Sequence, residues 1–241
     1  MPDGRLVAAI AFGAALLGTL SGGSTSLLTT PAWVALGAPF PAAVAADKVA
    51  ATVWTMAAAR SYLRRSAVDW RLLGRLGASG LIGAAAGALL ATTLDERWLR
   101  KGAALLILGV LGWSLRRRAS ASAPLPDWTV PAAGLPLGIY EGVLGSGNAI
   151  FTTVLLQRVR GWTLPTALGH YYAVATGWCG LAAVVYLHRG ALDWSLALPV
   201  TAGSLAGALV GSRLGARFGS VLIRPLFLGA GVLLALRLFF T

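Results

Sequence analysis

The chain has 241 residues, of which 57% are hydrophobic and only 12% charged. Its mean hydropathy is +0.74, whereas a soluble domain carries roughly 25% charged residues. Apolar stretches near the length needed to cross a bilayer recur, so an all-α polytopic membrane protein is expected. Alternating segments of the kind that build a β-barrel are absent. The net charge of +12 suits arginine-rich cytoplasmic loops on an anionic lipid surface. The lipid bilayer is therefore an expected partner and nucleic acid is not. Two histidines, His170 and His188, and the single Cys179 leave no zinc site or disulfide to build. There is no phosphate-binding GxxxxGK[ST] loop. No cofactor and no enzymatic activity are expected.

The first apolar segment, 6–36, is interrupted by "SGGSTS" at Ser21–Ser26, which is poor helix material. Its 31 residues are long for one span and short for two, and two half-helices meeting at mid-membrane fit better. Segments 43–63, 76–94 and 99–115 follow and complete a first repeat, 1–118. Residues 119–130 ("ASASAPLPDW" and its flanks) read as a linker. A second repeat, 131–241, has a hairpin at 132–160, broken at Gly145–Asn148, and helices at 166–187, 196–212 and 223–240.

The repeat is explicit at an offset of 124 residues. In the block 41–70 against 165–194, 13 of 30 pairs are identical, including Pro41/Pro165, Trp54/Trp178 and Asp69-Trp70/Asp193-Trp194. The register continues to Gly83-Ala84/Gly207-Ala208 and Gly87/Gly211, so "LSGGSTS" answers to "LGSGNAI". Residues 1–23 have the look of a secretory signal, but their counterpart in the second copy assigns them to the fold. Asp69 and Asp193 are expected to cap helices and the tryptophans after them to lie at the interface. The glycines of the 76–94 and 196–212 segments are expected to let helices approach closely.

Charge chooses between two topologies. If each broken segment is a single span, the repeats run parallel and 11 of the 20 basic residues lie inside. If each is a re-entrant hairpin, the repeats are inverted and 13 lie inside, which the positive-inside rule favours. The expected fold is therefore two inverted repeats, each a broken re-entrant hairpin plus three transmembrane helices. This is a plan that recurs among secondary transporters.

Backbone at membrane depth must line a wet cavity or find partners. Glycines allow the turns, and the helix starting after each break presents N–H groups and a dipole to an anion. The expected substrate-binding set is Ser21, Gly22, Gly23, Ser24, Thr25, Lys48, Gly145, Ser146, Gly147, Asn148, His170 and Tyr171. The simpler reading is that the hydroxyls only cap half-helices. Lys48, a charge within an apolar segment, is either a partner for a substrate anion or a residue that snorkels to the interface. Glu141, Asp47 and His170 are the candidates for proton coupling. Glu141 could equally pair with Lys48 or His170, or lie near the surface. Asp47 and Lys48 diverge by about 100° on a helix and do not form a natural pair.

Four features recur in each half: a glycine-rich break, a Pro–x–Ala helix start (Pro41-Ala43, Pro165-Ala167), a "VDW" or "LDW" turn, and a GA-xx-G helix. In this the chain resembles the sulfite exporter TauE/SafE family of bacterial membrane transporters, over nearly its whole length. The resemblance implies a multi-pass protein of the bacterial inner membrane that exports a small sulfur-containing anion such as sulfite or an organosulfonate, with a homodimer among the assemblies to consider. The chain departs from the family pattern at Gly22-Gly23, where the family often has a third glycine. It also departs after Pro41, where Ala45, Ala46 and Asp47 replace small Gly, Ser and Thr residues, as Gly169, His170 and Tyr171 do in the second copy. A non-transporting membrane scaffold or subunit is the alternative function.

Overall fold

A computed structural model describes residues 3–21, 24–64, 67–116 and 124–218, with residues 232, 233, 236 and 239. Among the described residues there are nine helices and no strand. They are α1 (Gly4–Ser21), α2 (Ser26–Ala35), α3 (Phe40–Leu63), α4 (Trp70–Thr93), α5 (Glu96–Arg116), α6 (Thr129–Val143), α7 (Asn148–Arg160), α8 (Leu164–His188) and α9 (Trp194–Phe218). The segment 223–240 lies almost wholly outside the described residues.

Adding 124 to the first residue of α3 gives that of α8, and the same holds for α4 and α9. The local causes also match. Pro41 and Pro165 occupy the first turn of α3 and α8, where a missing N–H costs nothing. Asp69 caps α4 by accepting from the Leu72 N–H at 2.9 Å, and Asp193 accepts from the Ser195 N–H at 2.8 Å. The α4 helix starts at Trp70 and not at 76, because this cap extends it through the polar turn "WRLLGR".

Helix pairing crosses between the halves. The α1 helix packs on α9 and α6 on α4, while α3 packs on α8. Both outer pairs are seated on glycine. Gly203 and Gly207 lie against the Ala8 and Phe12 carbonyls, and Gly138 lies against the Gly80 backbone, so a Cβ at any of them would collide with the neighbouring helix. Contacts advance together along each of these pairs, so α1 runs parallel to α9 and α6 to α4. The central pair is antiparallel: Gly169 lies against Leu63, Thr176 hydrogen-bonds Thr55 at 3.0 Å, and Gly180 lies against Thr52.

The outside is apolar where α4, α5 and α9 face away from the core, with Ile82, Leu105 and Leu198 exposed. Exposed tryptophans mark helix starts at Trp70, Trp98, Trp128 and Trp194, as an aromatic interface belt does. Among the described residues, α4 and the Trp194–Leu214 part of α9 are long and apolar enough to cross a membrane by composition alone. Charged residues break the apolar run of α3, and they are buried.

Candidate functional site

The second break is a four-residue turn between α6 and α7. Gly145 and Gly147 have φ of +72° and +85°, a region that side chains disfavour. A Cβ on Gly145 would also fall on the Glu141 carboxylate and the Lys48 ammonium. The Tyr140 hydroxyl closes the turn by donating to the Ser146 carbonyl. Neither α2, which follows Thr25, nor α7, which follows Gly147, is capped by a side chain. Among the described side chains, the hydroxyls of the breaks therefore do something other than cap. Ser24 Oγ lies 2.8 Å from Ser26 Oγ and donates to the Gly145 carbonyl at 3.3 Å. Two residues 121 apart, one from each break, thus touch. Gly22 and Gly23 lie outside the described residues, as does the side chain of Ser21.

The charges inside α3 meet these breaks. Lys48 Nζ is 2.7 Å from Glu141 Oε1, with the two side chains only 3% and 5% exposed. It also reaches the Leu144 carbonyl at 3.4 Å. Of the partners open to Glu141, the structure brings it to Lys48. Its second oxygen accepts from Asn148 Nδ2 at 2.7 Å and from the Tyr171 hydroxyl at 3.4 Å, and Cys179 Sγ stands 3.3 Å from the first. Asp47 turns the other way. Its carboxylate accepts from Thr29 Oγ1 at 2.8 Å, Thr30 Oγ1 at 2.5 Å and Trp33 Nε1 at 3.0 Å, all on α2.

A narrow cavity of about 20 Å³ lies where these groups converge, room for about one water molecule. Ser24, Thr25, Asp47, Lys48, Glu141 and Tyr171 line it, together with Thr29, Trp54, Thr55, Cys179 and Ser204, which sequence reasoning missed. Trp54 carried a signal in its repeat mate Trp178, and Thr29 in lying just after the break. Cys179 and Ser204 carried none. Thr25 Oγ1 and Ser146 Oγ are buried with no hydrogen-bond partner among the described residues, so polar capacity is left over at both breaks. Asn148 is spent on Glu141 and on the Leu137 carbonyl.

His170 stands apart from this cluster. Its Nε2 accepts from the Asp69 N–H at 3.1 Å, its Nδ1 lies 2.8 Å from the Thr166 carbonyl, and Trp162 stacks on its ring at 4.0 Å. Around it a second polar cluster ties chain ends together. Arg160, at the end of α7, bonds Asp69 at 3.1 Å and Asp127 at 2.5 Å, and the Leu125 N–H donates to the Arg158 carbonyl at 3.1 Å. The Asp69 carboxyl is held below its usual value, first by the Leu72 N–H and then by Arg160.

A family model described as "Sulfite exporter TauE/SafE" matches residues 7–238. The chain belongs to this family. Its relatives carry transporter names. A "Probable membrane transporter protein" of Haemophilus influenzae is 26% identical over 227 residues, covering 90% of this chain and 87% of that protein. "Probable membrane transporter protein ORF9" of a Sinorhizobium species is 28% identical over 95% of this chain and 89% of its own length. "Probable inner membrane transporter protein TsaS" of Comamonas testosteroni is 28% identical over 55% of this chain and 58% of its own. No solved structure matches the chain significantly. This TauE/SafE chain is therefore a helical membrane transporter.

Proposed function

We propose that this chain is a secondary exporter of a small sulfur-containing anion, sulfite or an organosulfonate, in the bacterial inner membrane. The anion binds where the two glycine-rich breaks meet. The observation that carries this reading is the contact of Ser24 with Gly145 beside the buried Lys48. A buried ammonium, two helix starts without side-chain caps and two hydroxyls, on Thr25 and Ser146, that have no partner among the described residues offer an anion charge and donors together. The cavity admits about one water, so this is a closed state that must widen to load.

The two halves, 1–118 and 131–241 about a 119–130 linker, are inverted copies with re-entrant hairpins. Three features support this. The α3 and α8 helices are antiparallel although they occupy the same place in their repeats. The segment entering α6 bonds the end of α7, as the two ends of one hairpin would. The end of α7 also bonds Asp69, between α3 and α4, which a single span through the second break would put on the opposite face.

Proteoliposomes loaded in turn with sulfite, thiosulfate, sulfoacetate, taurine and simple carboxylates test the reading. Flux of at least one sulfur anion is expected, falling at least several-fold in Lys48→Ala. Flux unchanged by that substitution would refute the site.

A further inference from the structure

The charges around the cavity do not balance. Among the described residues, Asp47 and Glu141 set two carboxylates against the single ammonium of Lys48. A substrate anion that simply joined them would put a third negative charge beside one positive charge in a buried, weakly polar site. Such a charge is strongly disfavoured without its own partner. Asp47 cannot give way cheaply, because three donors from α2 hold its carboxylate. Glu141 differs. Among the described residues Lys48 is its only charged partner; Asn148, Tyr171 and Cys179 are neutral groups that can bond a protonated carboxyl as well as an ionised one.

Resting on the anion-transport reading above, we infer that Glu141 is the resident counter-ion of Lys48, displaced by the substrate. The incoming anion takes the ammonium, and Glu141 takes up one proton and leaves the pair as the neutral acid. The proton comes from water, no bond of the anion breaks, and for a monovalent anion the buried charge is the same before and after. Anion and proton then cross together, and the direction of net movement follows the sum of their two gradients. The device exists once. The positions that answer to Glu141 and Lys48 in the other halves are Leu17 and Tyr172, so one proton accompanies one anion. Gly145 belongs to the arrangement, since a side chain there would occupy the space of the pair.

Among the described residues, the titratable groups facing Glu141 are Lys48 and, beyond it, Asp47 from α3, Tyr171 and Cys179 from α8, and Tyr140 from α6 itself. His170 bonds Asp69 and Thr166 instead. Binding of methanesulfonate, whose single negative charge is constant between about pH 5.5 and 7.5, is measured by calorimetry on the purified full chain in detergent. Proton linkage predicts that wild-type affinity rises by about tenfold for each unit of falling pH. His170→Gln should keep that slope, and Glu141→Gln should flatten it to less than about twofold. The wild type gives a reading that needs no variant: about one proton taken up per anion bound in weakly buffered solution. Lys48-dependent anion binding with no proton uptake, or a slope retained in Glu141→Gln, overturns the inference and leaves the anion site standing. No binding of any sulfur anion by the wild type overturns both.

Discussion

Asp47 and Lys48 are chain neighbours on α3, yet each is held by a different broken segment. Asp47 is bonded by Thr29, Thr30 and Trp33 of α2, and Lys48 by Glu141 of α6 and the Leu144 carbonyl in the second break. The 100° between adjacent helical positions turns one dipeptide into a link between both hairpins. A shift of α2 relative to α6 is felt at α3 as well as at the Ser24–Gly145 contact. This one relationship joins the stability of the fold to the state of the cavity.

The Asp47 anchor should be worth a large share of the stability. Hydrogen bonds to a charged group contribute about 1.5–3 kcal/mol each, and a buried donor left empty adds its own penalty. Asp47→Ala strands the Trp33 Nε1 donor and two hydroxyls, of which Thr29 retains the Thr25 carbonyl at 3.2 Å. A loss of about 3 kcal/mol or more is expected, with Asp47→Asn near half of that because an amide oxygen still accepts. Urea unfolding of the detergent-solubilised protein reads the difference, and equal midpoints for Asp47→Ala and wild type would show that Asp47 is no anchor.

Gly145 and Gly37 separate backbone strain from occupied space. Both have positive φ, +72° and +93°, so alanine costs about 1–2 kcal/mol at either. Around Gly37 nothing lies within reach of a new Cβ, whereas at Gly145 the Cβ meets Lys48 and Glu141. Gly37→Ala should therefore lower the melting temperature modestly and leave anion flux close to wild type. Gly145→Ala should abolish most of the flux, by at least about tenfold if the pair is forced apart by the energy of one charged hydrogen bond. Equal flux in the two variants would mean that the ion pair tolerates displacement.

The cluster around Asp69 gives a pH dependence with a definite sign. Its carboxyl is held down in the folded protein, chiefly by the Leu72 N–H and then by Arg160. A depressed carboxyl contributes stability that is present above its unfolded value, about 3.9, and is lost as pH falls through the lower folded value. Asp69→Asn should therefore melt below wild type at neutral pH, with the gap closing as pH drops below about 4. Melting curves between pH 3 and 7 check this; a gap that widens towards acid would contradict the sign.

Much of this was legible in the residues because a repeat makes short signals speak twice. "SGGSTS" alone is an unexplained interruption; with "GSGNAI" 124 residues on, it marks a pair of breaks, and the structure brings Ser24 against Gly145. Asp69 was legible as a cap because capping is local. Contacts set by tertiary packing were not legible. The sequence left Glu141 three possible surroundings, and only the tertiary placement of α6, packed on α4 and α8, brings its carboxylate to Lys48. His170 aligned with pocket residues, but its ring turns to Asp69 and Trp162, a choice made by rotamer and neighbours. Cys179 follows a tryptophan in an apolar run and shows no pattern that would announce a cavity wall.

Topology can be tested without touching the site. The inverted arrangement puts the turn before α4 and the turn after α7 on one face of the membrane, because Arg160 bonds Asp69. It puts the turns after α4 and after α8 on the other, since α3 and α8 are antiparallel. Ala67, Thr163, Asp95 and Arg189 are exposed positions in these four turns, and the native Cys179 is buried, so it needs no replacement. With a membrane-impermeant maleimide on right-side-out vesicles, Asp95→Cys and Arg189→Cys should label, while Ala67→Cys and Thr163→Cys should label only after permeabilisation. A parallel arrangement swaps the second member of each pair: Thr163→Cys would label with Asp95→Cys, and Arg189→Cys would be protected with Ala67→Cys. That swap would also part Arg160 from Asp69 by the thickness of the bilayer, about 30 Å, so labelling in that pattern is incompatible with the ion pair between them.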